Sequence, residues 1–211
     1  MKKLYISLLA VMLAGCSAAG VSASAVSSSA EEEESGLILN TKELDMDGYW
    51  WLDDDDPAFI QISFTESFRL FEEGGTGMLV YSYPDCPYCN RAVPVLNEAA
   101  KEKGIKVYYV DVYEPEMTTD TTEEQFYEDL YHLYDLLDPI LEKMTNETTG
   151  EIEPAFYVPE VVAIKDGEIV GHHCSLTDDF VLEDSETQMT DEQRQELKDD
   201  YLRLIDLVAA E

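Results

Sequence analysis

The stretch Tyr83-Pro84-Asp85-Cys86-Pro87-Tyr88-Cys89 carries the strongest structural signal in the chain. An apolar run of strand length, 76–83, leads into it, and apolar residues at helical spacing follow it. Pro87 suits the first position of a helix, because it lacks an N–H and has a fixed φ. Gly104 is a plausible helix end. The sequence therefore predicts a strand that runs directly into a helix, with Cys86 at the junction.

This placement has consequences for the two thiols. At a helix N-terminus, unpaired backbone N–H groups and the helix dipole favour thiolate over thiol, which lowers the pKa of Cys86. Cys89 lies one turn deeper, where it can attack a mixed disulfide held on Cys86. The same CxxC could instead be half of a zinc site. However, the sequence has no second CxxC, and His132, His172 and His173 lack zinc-finger spacing, so redox chemistry is favoured.

Further elements are predicted on both sides of this junction. Phe64, Phe68 and Phe71 mark a helix, and Thr122 to Met144 carries a longer helical stripe. Pro139 is expected to kink or split that stripe, with Asp138 capping a second short helix. Asp166-Gly167 predicts a hairpin turn. Strands are predicted at 59–63, 105–112, 161–165 and 168–172, and a last helix after Thr190, which gives the order β-α-β-α-β-α-β-β-α.

The N-terminus has the pattern of an export signal. Lys2 and Lys3 precede an apolar run, 4–14, that is too short to span a bilayer. Leu13-Ala14-Gly15-Cys16 resembles a bacterial lipobox, which predicts a diacylglycerol anchor on Cys16. The alternative is an ordinary signal peptide with a chance cysteine.

The predicted organisation follows from these signals. Residues 1–15 form a lipoprotein signal peptide, and 16–36, rich in Ser, Ala and Glu, form a lipid-anchored flexible linker. Residues 37–58 form an N-terminal extension, and 59–211 form the folded domain. Within the extension, the aromatic residues 49–51 are expected to pack on the domain edge. The acidic run 53–56 is expected to be a solvated turn rather than a calcium site.

Composition limits the partners. The 211 residues include 13 Lys and Arg against 46 Asp and Glu, a formal net charge of −33. Such a charge argues against nucleic acid, whose phosphates need a basic surface, and against docking on anionic lipid. We therefore expect attachment to the membrane through the lipid on Cys16 alone.

With these features in place, the chain resembles the thioredoxin-like family over roughly 59–209. The CPYC sequence lies at a strand-to-helix junction, Pro94 matches the proline that kinks the family's active-site helix, and Val158-Pro159 matches its cis-proline. The resemblance implies an α/β fold, a central mixed β-sheet flanked by helices, here with an enlarged helical segment before the cis-proline strand. The layout around Cys86 looks closest to the bacteriocin transport accessory type of this family.

The resemblance also implies roles for individual residues. Cys86 and Cys89 would be the catalytic pair, with Pro87 and Tyr88 tuning their redox potential. Val158 and Pro159 would shape the substrate groove, with Val158 offering its backbone to an extended substrate. Two positions depart from the family pattern: Val80 stands where many members bury an aspartate, and Val107 where they carry a partner lysine. Any proton relay must then use water or another group.

The expected function is that of a thiol–disulfide oxidoreductase outside the cytoplasm. It would be anchored to the cell membrane by its N-terminal lipid and act on exported protein thiols and disulfides. No cofactor beyond a Cys86–Cys89 disulfide, no metal and no nucleic acid is expected. Two alternatives stay open. One is a non-catalytic accessory lipoprotein of an export or bacteriocin transport system. The other is a copper-handling protein, in which His173 and Cys174 would bind Cu(I) together with the CxxC pair.

Overall fold

The computed structural model describes residues 37–113 and 122–210. The strands of this part are β1 (Phe59–Gln61), β2 (Gly77–Ser82), β3 (Val107–Asp111), β4 (Glu142–Thr145), β5 (Ile152–Ala155), β6 (Glu160–Lys165) and β7 (Glu168–Cys174). Five of them form a central sheet, with strand order β1-β3-β2-β6-β7. Strand β2 pairs in parallel with β3 and antiparallel with β6, so the sheet is mixed. A separate two-stranded sheet pairs β4 with β5.

Each of the four described helices begins at a residue whose side chain accepts a backbone N–H. Ser63 and Thr122 do so for the first and third helices, and Thr190 forms a full capping box with Gln193 before the fourth. Gly104 ends the second helix in the left-handed region, at a φ of 69°. The helices are α1 (Phe64–Glu72), α2 (Pro87–Lys103), α3 (Glu123–Leu137) and α4 (Asp191–Ala209).

The helices cover both faces of the sheet. Because side chains alternate along a strand, Met78 and Val80 of β2 join the core under α2 and α4, whereas Leu79 and Tyr81 join the core under α1 and α3. The described part of the protein is thus α/β, with a mixed sheet flanked by helices, as predicted.

One predicted element is wrong. The helical stripe of 122–144 predicts a break after Leu137 and then a second short helix up to Met144. The break is confirmed, because α3 ends at Leu137, but the second short helix is wrong. Residues 142–145 instead form β4, which turns through Asn146 to Gly150 into β5. All four residues of β4 are exposed, so neither face of the strand needs apolar side chains. Its sequence therefore lacks the alternation of apolar and polar residues that predicts a strand.

The N-terminal extension is held to the sheet. Thr41 forms an isolated antiparallel bridge with Ile62, and the carboxylate of Glu66 on α1 accepts the backbone N–H of Asn40 at 2.7 Å. Tyr49 is buried in the core under α2, only 4% exposed, rather than packed at the domain edge as the sequence predicted. The extension therefore contributes to the interior of the domain.

The predicted signal peptide, the lipidation site Cys16 and the linker lie outside the described residues. Within 37–113 and 122–210, no helix is both long enough and apolar enough to pass through a membrane.

Candidate active site

Cys86 lies at the N-cap of α2, as the sequence predicted. Its backbone is extended, with φ −75° and ψ 120°, and Pro87 follows at the start of the helix. The Cys86 sulfur accepts the backbone N–H of Cys89 at 3.1 Å. A thiolate at this position receives the N–H groups that an ordinary helix start leaves unpaired.

The two thiols of the motif have opposite electrostatics. The pKa of Cys86 is lowered to about 7, chiefly by a hydrogen bond from the Cys89 side chain and then by the N–H groups of Cys89 and Tyr88, against the effect of burial. The pKa of Cys89 is raised far above its usual range, because the sulfur is fully buried and lies beside Cys86. Both are free thiols in this structure. The arrangement therefore pairs a thiol that ionises near neutral pH with a fully buried thiol that stays protonated.

Val158 and Pro159 face this pair from the start of β6. The peptide bond between them is cis, and the carbonyl oxygen of Val158 lies 3.7 Å from the Cys86 sulfur. The ring of Tyr88 points instead toward Phe180, at 6.4 Å between centroids. The sequence predicted a redox site from Cys86, Cys89, Val158 and Pro159. These residues lie together where β2 ends and β6 begins.

A buried arginine is the first site feature that sequence reasoning missed. Arg91, one turn into α2, is only 2% exposed. Its guanidinium donates to the carbonyls of Pro87, Ser185 and Thr187, at 2.9 Å for Ser185. It also stacks on Trp51, 4.7 Å from the ring centroid. Its positive charge contributes to the low pKa of Cys86.

A buried set of hydroxyl groups is the second site feature that sequence reasoning missed. The Tyr49 hydroxyl lies 2.7 Å from the Ser82 hydroxyl and donates to the Tyr109 hydroxyl at 3.3 Å. The Ser82 side chain also lowers the pKa of the Cys89 thiol, which partly offsets the effect of burial on that pKa. The sequence gave no signal for this role of Tyr49, because the contact between Tyr49 and Ser82 spans more than thirty residues of sequence.

The third thiol is set apart from this pair. Cys174 lies opposite Glu160 in the β6–β7 ladder, and the Glu160 carboxylate also accepts from His172, at 3.0 Å from Nδ1. Burial and this carboxylate raise the pKa of Cys174. His173 points to the other face of β7, since neighbouring strand residues alternate, and lies 3.6 Å from Asp200.

These positions bear on the copper alternative. His173 and Cys174 cannot bind one ion together from opposite faces of β7. Within the described ranges, no three His, Cys, Asp or Glu side chains are placed to hold a metal ion.

An apolar cavity adjoins the site. It has a volume of about 230 Å³ and borders both Val158 and Tyr83, the residue three positions before Cys86. Phe126 and Leu130 of α3 form part of its wall, together with Phe156. Helix α3 and Phe156 therefore lie close to the thiols.

Comparison with known proteins adds no relative: no protein-family model matches the chain, and no curated protein is similar to it at a significant level.

Proposed function

We propose that this chain is a thioredoxin-like thiol–disulfide oxidoreductase with Cys86 and Cys89 as its redox pair. One observation carries the proposal. A thiol with a pKa near 7 lies at a helix N-terminus, directly in front of a buried thiol whose pKa is raised. The sheet order, the helices on both faces and the cis Val158–Pro159 bond opposite the thiols are compatible with the thioredoxin-like fold.

The reaction follows from this asymmetry. The Cys86 thiolate attacks one sulfur of a substrate disulfide, which forms a mixed disulfide and releases one substrate thiolate. Cys89 then loses its proton and attacks the Cys86 sulfur. The products are the Cys86–Cys89 disulfide and the second substrate thiol. The protein gives up two electrons and the substrate gains them; the same steps run backward when the oxidised protein meets a dithiol.

The surface around Cys86 fits an extended polypeptide as substrate. The half-buried Val158 presents its backbone beside the Cys86 sulfur, where a substrate strand can pair with it. The cavity between Val158 and α3 can receive an apolar side chain next to the reacting cysteine. We propose that the segment between β3 and β6 takes part in substrate binding in this way.

The proposed location is outside the cytoplasm, with a lipid on Cys16 holding the protein at the cell membrane. Support comes from the lipobox-like sequence ending at Cys16 and from the acidic composition, which disfavours direct docking on anionic lipid. The proposed partners are exported protein thiols and disulfides and a separate redox partner. The alternative to this proposal is a non-catalytic accessory lipoprotein of an export or bacteriocin transport system, and it rests on the sequence around Cys86.

The equilibrium between dithiol and disulfide tests the proposal. The full-length chain is incubated in glutathione buffers of graded ratio, the thiols are trapped by alkylation, and the Cys86–Cys89 disulfide is located by mass spectrometry. We expect a reduction potential above about −300 mV, in the range of exchange-active pairs. Cys86→Ser should remove the transition, and Cys174→Ser should leave it unchanged. A disulfide that resists reduction over this range, or none at all, would contradict the proposal and favour the accessory function.

A further inference from the structure

The apolar cavity beside Val158 continues into exposed aromatic side chains. Tyr113 borders the cavity and is itself exposed. The ring of Phe126, in the cavity wall, lies 5.5 Å from that of Tyr127, which stacks on Tyr131 at 6.5 Å between centroids. Tyr127 and Tyr131 are exposed, and a continuous exposed apolar patch is typical of an interaction surface. We define the cavity together with Tyr113, Tyr127 and Tyr131 as the aromatic surface.

This surface lies in negatively charged surroundings. Helix α3, which supplies Phe126 and Leu130 to the cavity wall, contains five acidic residues and no Lys or Arg. The residue that precedes Cys86, Asp85, is acidic and exposed as well. Among the described residues that border the cavity, none is Lys or Arg. A polypeptide that binds here therefore meets a negative potential.

The basic side chains of the protein are engaged elsewhere. Lys2 and Lys3 lie outside the described residues, and at least eight of the other eleven Lys and Arg pair with Asp or Glu. Arg91 is buried and donates to backbone carbonyls. Within 37–113 and 122–210, no Lys or Arg pairs with an acidic residue of α3. The negative charge of α3 is thus available to a partner.

We propose that the aromatic surface binds a cationic polypeptide substrate, in which Lys or Arg residues flank the reactive cysteine and an apolar side chain near that cysteine enters the cavity. This inference rests on the proposed function and deepens it by naming the substrate class. The chemistry is unchanged: the Cys86–Cys89 dithiol is oxidised to its disulfide, and the substrate disulfide is reduced to two thiols.

The size and position of the cavity fit one side chain of an extended substrate. Its volume of about 230 Å³ is below the roughly 300–1,000 Å³ of small-molecule sites, so it suits a single apolar side chain. Val158 borders the cavity, and its carbonyl oxygen lies 3.7 Å from the Cys86 sulfur. A substrate strand paired with Val158 advances only about 3.3 Å per residue. The side chain that enters the cavity is therefore expected within two residues of the substrate cysteine.

The flanking positive charges act in two ways. A Lys or Arg side chain that reaches Tyr127 or Tyr131 can lie over the face of the ring, which attracts cations. The acidic residues of α3 attract the same groups over a longer range, which raises the rate of association and makes that rate sensitive to salt. A substrate rich in Asp and Glu lacks both attractions and is repelled. Cationic substrates are therefore favoured over anionic ones.

Two helices on opposite faces of the sheet provide matched charge variants. In α3, Glu123 and Asp129 lie on either side of the residues that face the cavity, within about a quarter turn around the helix. Glu192 and Asp199 hold similar positions in α4. Each Asp accepts a hydrogen bond from a Gln four residues earlier, at 2.9 Å in α3 and 2.8 Å in α4. Glu123→Gln with Asp129→Asn and Glu192→Gln with Asp199→Asn therefore change the net charge equally.

The experiment uses short peptides joined through one cysteine to pyridine-2-thiol, which absorbs light when it is released. Attack by Cys86 on the peptide sulfur forms the protein–peptide disulfide and frees this chromophore. Four peptides combine flanking Lys or Glu with Leu or Ala next to the cysteine, and the mixed disulfide of uncharged N-acetylcysteine amide serves as the reference. Each is mixed with the reduced full-length protein in a stopped-flow instrument. Release that persists in Cys86→Ser comes from other thiols and is subtracted.

We expect the Lys peptides to react at least about tenfold faster than the Glu peptides at low ionic strength, with a difference that shrinks as salt is added. Leu next to the cysteine should give a rate about tenfold above that of Ala, and Phe126→Ala should reduce this preference. Glu123→Gln with Asp129→Asn should lower the preference for Lys over Glu roughly threefold, the effect of two surface charges. The variant pair in α4 should leave that preference unchanged.

The outcomes separate this inference from the proposed function. If the uncharged reference does not react with Cys86 of the wild type, the proposed function itself is refuted. If the reference reacts but Lys and Glu peptides react at equal rates, the cationic substrate is refuted while the oxidoreductase stands. Equal loss of preference in the α3 and α4 variants would assign the effect to net charge and refute binding at the aromatic surface. Equal rates for the Leu and Ala peptides would refute the role of the cavity.

Discussion

Cys86 and Cys174 carry the same side chain, but their surroundings shift the pKa of the thiol in opposite directions. Cys86 is only 3% exposed but lies at a helix N-terminus, where N–H groups and a neighbouring thiol lower its pKa to about 7. Cys174 is more exposed, yet burial of its sulfur and the carboxylate of Glu160 raise its pKa. Donors around the sulfur therefore matter more for thiolate formation than the exposed area of the residue.

The largest expected effect is a difference in reactivity between these two thiols. Near pH 7 about half of Cys86 is thiolate, whereas less than about three per cent of Cys174 is, because its pKa lies above that of a free thiol. We expect iodoacetamide to alkylate Cys86 at least about fifteenfold faster than Cys174. Mass spectrometry of the reduced full-length protein measures both rates in one sample. Equal rates, or faster labelling of the more exposed Cys174, would overturn the comparison.

The position of Cys86 at a helix N-terminus could be predicted from sequence, because the residues that determine it are neighbours in the sequence. Pro87 fixes the helix start, Gly104 its end, and the thiol falls at the cap by position alone. The capping box of Thr190 and Gln193 was readable for the same reason. The hairpin of β6 and β7 followed from Asp166-Gly167, since both residues adopt a positive φ.

The parts that could not be predicted depend on contacts between distant residues. From sequence, Tyr49 is only an aromatic residue in a polar extension, and its contact with Ser82 exists only in the folded protein. From sequence, Arg91 is expected to be a surface charge, but in the fold its guanidinium donates to the carbonyl groups of Ser185 and Thr187. The β4–β5 hairpin is a different case. Ile140 and Met144 continued the helical spacing by coincidence, although the turn residues Asn146 and Gly150 were an available signal.

Arg91 offers the next largest effect, since its charge belongs to the environment of Cys86. Arg91→Met keeps much of the packing on Trp51 but removes the guanidinium hydrogen bonds to three part-buried carbonyl groups. We expect a loss of about 2 kcal/mol in the free energy of unfolding, measured by urea denaturation. The pH at which Cys86 alkylation is half-maximal should also rise, because a nearby positive charge is lost.

Arg203 provides the control for that variant. Its side chain is 59% exposed and forms an ion pair with Asp200 at 3.1 Å on the surface of α4. Arg203→Met should change the free energy of unfolding by less than about 0.5 kcal/mol and leave Cys86 reactivity unchanged. A similar loss in both variants would mean that the burial of Arg91 has no energetic consequence.

The partner thiol offers a change that is confined to the pKa of Cys86. The hydrogen bond from the Cys89 side chain is the main cause of the low pKa of Cys86, and Cys89→Ala removes it while the helix N–H groups stay. The sign follows: a lost donor disfavours the thiolate, so the pKa rises. The pH profile of Cys86 alkylation, recorded by mass spectrometry, should move toward alkaline values. A profile identical to that of the wild type would assign the shift to the helix terminus alone.

The smallest expected effect concerns Cys174, whose pKa is raised both by burial and by the charge of Glu160. Glu160→Gln keeps the shape of the side chain and removes its negative charge, so the pKa of Cys174 should fall, although not to that of Cys86, because burial is the larger cause. The pKa of His172 should fall as well, since its hydrogen bond to Glu160 is what raises it. NMR titration of the His172 ring and alkylation of Cys174 measure the two shifts in one variant. If His172 shifts and Cys174 does not, burial alone keeps Cys174 unreactive. The contrast with Cys86 would then depend entirely on the N–H groups and the neighbouring thiol that one sulfur has and the other lacks.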